Sequence, residues 1–518
     1  MAIPEIAQIF SDIKKEQFYD ILKQGEGRNI SVNSFTHNVG SFYEKIRYVV
    51  DYKDQHNIAR DAVGRMLKRI LTYHDINRAG ELLLTELVSG RYLPNDAVSE
   101  KNSEIILTII KKYFALSKEL EMPNDFAIRM ASSEIERYLN PRTSENPVAN
   151  AFYNIIRQKV DKNLGEYSVD FDICLYIACR KKIFDEDVFG LRYFVLLWKF
   201  PELQNYTDGM TLSPQVKSEI KRVISEINKI IASPLLNRTL AKLRNDGVYF
   251  SLIHELVKRY GMGAELYFAD KSLLEEKMRE VLTETYSNSE KITKRSGRQA
   301  VMFVLLTKVV IALAVEVPFE YFILHSIDYI PLGTNILFHP ILLTFMVTSS
   351  AKGNDKNTEN IINGVNAILA GESSKKIYIS RRNPGGFVSF LFGIFYFVLY
   401  VAVLGTIVTV LKNVMHFNIA SIVLFLLFLA LVSYFGMRIR HKATLWVVEN
   451  KRKGLISLLW DYATLPIVRL GRWLNERFST INIFVFILDF IVETPFKILL
   501  GTFDNFVSYL NEKKDELV

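Results

Sequence analysis

Two stretches of this sequence run for bilayer length without a single charge: GFVSFLFGIFYFVLYVAVLGTIVTVL (386–411) and IASIVLFLLFLALVSYFGM (419–437). A hydrocarbon core about 30 Å thick is crossed by roughly 20 residues of helix, each rising about 1.5 Å. Lipid offers the backbone no hydrogen-bond partners, so such stretches satisfy their own N–H and C=O groups by coiling into helices. The second half of the chain is therefore expected to form an α-helical transmembrane bundle.

Two further spans are expected ahead of these, at about 300–324 and 331–347. The first carries Lys308, Glu316 and Glu320, and the second is short and broken by His339 and Pro340. A re-entrant hairpin is the alternative for this pair, and it leaves the parity of crossings unchanged. Loop charge tests the topology independently. Lys291, Lys294, Arg295 and Arg298 precede the first span, and Lys352, Lys356, Lys375, Lys376, Arg381 and Arg382 lie in the connection 348–385. Arg438, Arg440 and Lys442 follow the fourth span, whereas the connections at 325–330 and 412–418 hold only Lys412. Cations collect on the cytoplasmic side of membrane proteins, so the pattern predicts a multi-pass protein of the cell membrane with both termini cytoplasmic.

Beyond the fourth span, residues 438–518 turn basic and read as juxtamembrane and interfacial helices on the cytosolic side. Trp446, Trp460 and Trp473 stand there beside Arg438, Arg440, Lys442, Arg469 and Arg472. Amphipathic rings next to cations suit the headgroup level, where anionic lipid attracts positive charge. The run 481–500 is long enough to cross, yet Asn482, Asp489, Glu493 and Lys497 form one polar stripe. An amphipathic helix lying at the interface is the expectation, because a crossing would bury Asp489 and Glu493 at about 3 kcal/mol each.

The first half reads differently. Apolar residues recur at spacings of three and four: Val63, Met66, Leu67, Ile70, Leu71; Ile105, Ile106, Ile109, Ile110, Tyr113, Phe114; and Val216, Ile220, Val223, Ile224, Ile227, Ile230, Ile231. That is the signature of helices burying one face, and the third stripe opens with Ser213 as N-cap and Pro214 in the first turn. Period-two alternation is scarce, so residues 1–286 are expected to form an all-α, multi-helix cytosolic domain. Breaks fall at 138–150 and 200–214, and the polar, basic stretch 287–299 reads as a linker into the membrane. The opening residues lack the basic start and apolar stretch of a signal peptide, so the Asn29, Asn205 and Asn237 glycosylation triplets carry no meaning.

Catalytic signatures are missing. His254 and Glu255 begin a zinc-protease helix, but Lys258 stands where the second His is required. Gly261 and Gly263 lack the third glycine and preceding strand of a dinucleotide loop. Ser373 and Lys376 match SxxK at chance frequency, and Cys174 and Cys179, five apart on one helix, point to different faces as core thiols do. No cofactor, no metal site and no enzymatic reaction is expected from this sequence. Basic residues are spread rather than clustered, so nucleic acid is not an expected partner either.

Lipid penalises ionisable groups, which makes Lys308, Glu316, Glu320 and His339 the candidate intramembrane polar site. The expectation for function is a membrane-anchored scaffold or interaction protein that presents its helical domain to a protein partner or to a second copy of itself. A transporter or channel subunit using those four residues is the alternative.

Overall fold

The structure is a computed structural model that describes residues 4–21, 55–90, 92–95, 98–160, 170–325, 328–349, 353–371, 377, 379, 386–448 and 455–480. Among them it is all-helical: no strand occurs, and an isolated bridge links Val160 and Ile377. The described residues divide into two compact units. Those of Met1–Leu274 and Val365–Arg381 form one, and those of Glu275–Gly364 and Arg382–Leu488 form the other.

The first unit is a stack of short helices, several of them started by a side-chain cap. Asp170 accepts from the amides of Asp172 and Ile173, Asp187 from Gly190, and Ser213 from Val216 ahead of Pro214. These side chains satisfy amides that the first helical turn leaves without partners. The expected stripes face inward: Val63, Met66, Leu67 and Ile70 are buried, as are Ile106, Ile109, Ile110 and Tyr113, and Ile220, Val223, Ile224, Ile227 and Ile230. Each side chain so enclosed contributes about 1.5–3 kcal/mol. Ile105 departs from its stripe and lies exposed. Cys174 and Cys179 are both fully buried and free, and Gly261 ends its helix with positive φ.

The second unit is built on four helices long and apolar enough to cross a membrane: Lys271–Leu324, Tyr329–Thr348, Gly386–Asn413 and one beginning at Ile419. They are called the first to fourth long helices below. The stretch 287–299, expected as a linker, is helical throughout and belongs to the first of them. Glu290 and Lys294, one turn apart, form an ion pair at 2.9 Å on it. Within the connection 348–385, Asp355–Leu369 is a further helix. Asn357 anchors it by donating to the Tyr286 hydroxyl and the Trp446 carbonyl, each at 2.8 Å, while accepting from Val448 N–H.

The fourth long helix packs against the second, and Gly436 permits the approach: a Cβ there would meet Met346 Sδ at 2.7 Å. The helix Leu455–Thr480 packs along the fourth and against the third. Gly471 abuts the Ala430 carbonyl, Ile467 joins the apolar cluster of Leu411, Phe417, Ile422, Phe425 and Leu429, and Arg469 lies 4.6 Å over the Tyr396 ring. The third long helix is the opposite case, for none of its most apolar stretch is buried.

Candidate functional site

The site begins with a proline. Pro318, inside the first long helix, has no N–H to give and its ring crowds the preceding turn. The backbone absorbs this with two π-turns, Ala312–Glu316 and Glu320–Leu324, in which Val317 N–H reaches the Ala312 carbonyl and His325 N–H the Glu320 carbonyl. Each widened turn changes which residues share a face. On a regular helix Glu316 would stand about 80° around from Lys308, at 3.6 residues per turn. Here Lys308, Glu316 and Glu320 all turn inward, with 0%, 1% and 1% of their surfaces exposed.

Asn335 on the second long helix joins two of them. Lys308 Nζ donates to Asn335 Oδ1 and Asn335 Nδ2 donates to Glu316 Oε1, both at 2.6 Å. An amide serves because it carries an acceptor and a donor side by side, so it relays between cation and anion without a charge of its own. The Lys308 ammonium also sits 4.3 Å over the Phe428 ring of the fourth long helix. Glu316 Oε2 is buried and has no hydrogen-bond partner among the described residues.

Glu320 is held from two directions. Asn418 Nδ2 donates to its Oε1 at 2.8 Å, and the Asp328 amide to its Oε2 at 3.3 Å. The same Asn418 caps the fourth long helix by accepting from Ser421 N–H. His339 lies one turn beyond Asn335 and is completely enclosed. Its Nδ1 is 3.1 Å from the Asn335 carbonyl and its Nε2 3.1 Å from the Phe425 carbonyl. The Phe425 and Phe428 rings stand against it.

All four candidate residues are therefore buried within this helix packing, and Lys308 and Glu316 are brought onto one bridge. Asn335, Asn418 and the Phe428 ring were missed in the sequence. A lone Asn one turn before His339 in an apolar run was the available signal for Asn335. For Asn418, directly before a charge-free helix, capping is the obvious reading and conceals the second role.

Comparison with family models, curated proteins and solved structures finds no match for this chain.

The interface anchors are dispersed. Arg440, Arg469, Arg472 and Trp473 are exposed, Arg438 and Trp446 half-buried, and the side chains of Lys442 and Trp460, with the whole run 481–500, lie outside the described residues. In the first unit, His254 accepts or donates a 3.2 Å bond with Ser144, and burial, with Lys258 and Arg142 nearby, lowers its pKa to about 4. The described residues hold no metal-ligand cluster. An open hollow in that unit is lined by Glu5, Asp12, Asn150, Tyr153 and Trp198.

Proposed function

We propose that this chain is a multi-pass protein of the cell membrane, with both termini cytoplasmic, that passes a small cation or proton through the seam lined by Lys308, Glu316, Glu320 and His339. One observation carries the reading: a carboxylate oxygen, Glu316 Oε2, is buried in a helix apolar enough to cross a membrane and has no hydrogen-bond partner among the described residues, on the same amide bridge as the Lys308 ammonium. Charge inside a bilayer costs about 2.5–3.5 kcal/mol per group, and a chain that tolerates it while leaving an acceptor open has capacity for something that arrives. The flanking cations at 291–298 and 438–442 support the sidedness and suit anionic headgroups.

The test is ion flux into liposomes holding the full chain. Lys308→Met and Glu316→Gln are expected to abolish flux while insertion and unfolding temperature stay measurable. Flux undiminished in both would end the proposal. Fluorescence from a reporter after Val518 on the outer face would end the topology.

A second reading has its own support. The third long helix leaves its apolar stretch uncovered, which favours a lipid-facing anchor or a contact with a second copy, and so a scaffold that holds the helical unit at the bilayer for a protein partner. Cross-linking of the full chain through cysteines placed at 393 and 397 separates the two: dimers favour the copy, monomers the lipid.

A further inference from the structure

The ion that fits this seam is a proton, and we infer that His339 is the group that takes it up. This rests on the transport reading and names the species. A bare metal cation enters a protein only where several oxygens converge to replace its hydration shell. Of the four carboxylate oxygens here, Glu320 Oε1 and Oε2 are held by Asn418 and the Asp328 amide, and Glu316 Oε1 by Asn335. Among the described residues Glu316 Oε2 is the carboxylate oxygen left open, and a single open oxygen does not replace a hydration shell. A proton needs a single lone pair.

His339 supplies the lone pair and the cradle for the charged form. Both ring nitrogens face backbone carbonyls at 3.1 Å, and a carbonyl only accepts. A neutral imidazole carries one N–H, so it donates to one carbonyl and turns a bare nitrogen toward the other. Proton uptake forms an N–H bond at that bare nitrogen, the imidazolium then donates to both carbonyls, and no side chain has to move. Lys308 is bonded to the side chain of Asn335, whose carbonyl faces the ring, the same amide holds Glu316, and residues 419–437 of the fourth long helix have Tyr434 as their one titratable side chain. Because the two carbonyls belong to the second and fourth long helices, each loading and unloading makes or breaks a hydrogen bond on one of them.

The full chain, labelled with ¹⁵N-histidine and placed in lipid nanodiscs, would be followed by NMR between about pH 5 and 9, with H⁺, Na⁺ and K⁺ flux measured in liposomes. His339 would be assigned among the eight histidines by the signal lost in His339→Gln or, should that variant not fold, by transfer to the Phe425 carbonyl. We expect one ring nitrogen to change from bare to protonated on acidification, H⁺ flux to fall at least tenfold in His339→Gln, and Na⁺ and K⁺ gradients to drive nothing. A ring that stays neutral throughout while H⁺ flux continues overturns the inference and leaves the transport reading standing. Na⁺ or K⁺ flux without H⁺ overturns it too. Titration of His339 with no flux of any ion upholds the proton site and overturns the transport reading.

Discussion

Both units bury charge, and they do it in different ways. In the first, Glu186 receives Arg180 on Oε1 at 3.4 Å and Arg60 on Oε2 at 3.2 Å. Arg60 also pairs with Asp187 at 2.8 Å and bonds Asn57, while Arg180 bonds Asn146 and stacks 3.3 Å over Phe194. Each charge there has several partners. In the second, Lys308 has one amide oxygen and one ring face, and Glu316 one amide N–H. What is left over around Glu186 is a pair of guanidinium Nε–H donors, on Arg60 and Arg180, and around Asn335 it is an acceptor oxygen, on Glu316. A leftover donor cannot receive a proton, and a leftover acceptor can.

The contrast is broken most forcefully by removing one partner at a time. Glu186→Gln leaves Arg60 and Arg180 without their shared anion, and Lys308→Met leaves Glu316 without its cation. Stranding a buried charge costs about 3–5 kcal/mol, so both are expected to lower stability by that order. The double variant Lys308→Met with Glu316→Gln should recover most of its loss, because only neutral amides remain around Asn335. Glu186→Gln with Arg180→Met should recover less, since Arg60 stays charged and enclosed. Chemical unfolding of the full chain in detergent measures both cycles. Additive losses at 308 and 316 would show that the two charges are not coupled through Asn335.

A second effect, on the order of 3 kcal/mol, lies in the first unit and carries a pH signature. Burial raises Glu136 to about 7 despite the Arg142 guanidinium 2.6 Å away and Arg60 beyond it. The folded state therefore holds this proton more tightly than the unfolded one, and stability is lost as pH rises from about 4.5 to 7. His254 works in reverse. With a folded pKa of about 4 against an ordinary 6.5, its contribution is lost as pH falls through that window. The two nearly offset each other in the native chain. Glu136→Gln should unmask the His254 slope, with stability falling on acidification, and His254→Gln should unmask the opposite slope. Melting temperatures at pH 4.5, 5.5 and 7 decide it, and a slope that neither variant changes would mean that the network accommodates an ionised Glu136 without strain.

How far all this could be read from the sequence depends on what each residue's neighbours in the chain disclose. Helix existence was legible wherever a stripe or a charge-free run set the period, as at Val216–Ile231 or 386–411, since burial and backbone satisfaction act on every residue of such a segment. The polar stretch 287–299 was not legible as helix, because its composition matches a linker and its continuity is imposed by the helix on both sides. Lys308, Glu316, Glu320 and His339 were found through the penalty lipid places on them. The joining of Lys308 and Glu316 through Asn335 was hidden, because the π-turns around Pro318 shift the faces by an amount no regular period contains. The helix 455–480 showed its amphipathic pattern, but a pattern of that kind does not say whether the apolar face meets lipid or protein.

The smallest effects sharpen that last point through two glycines. At Gly471 a Cβ would press into the Ala430 carbonyl, where the helix Leu455–Thr480 crosses the fourth long helix. Overpacking of this kind costs about 1–3 kcal/mol, so Gly471→Ala is expected to destabilise the second unit. At Gly393, midway along the third long helix, a Cβ meets nothing within 4 Å. Alanine loses less conformational freedom in a helix than glycine, and Gly393→Ala should stabilise by about 0.5–1 kcal/mol. Thermal unfolding of both variants in the same detergent reads the difference. The sign at Gly393 also bears on the partner. A stabilising or neutral result fits a surface that lipid covers, because acyl chains yield to a methyl group. A destabilising one requires a close-packed neighbour that the described residues do not supply, such as a second copy seated on the third long helix.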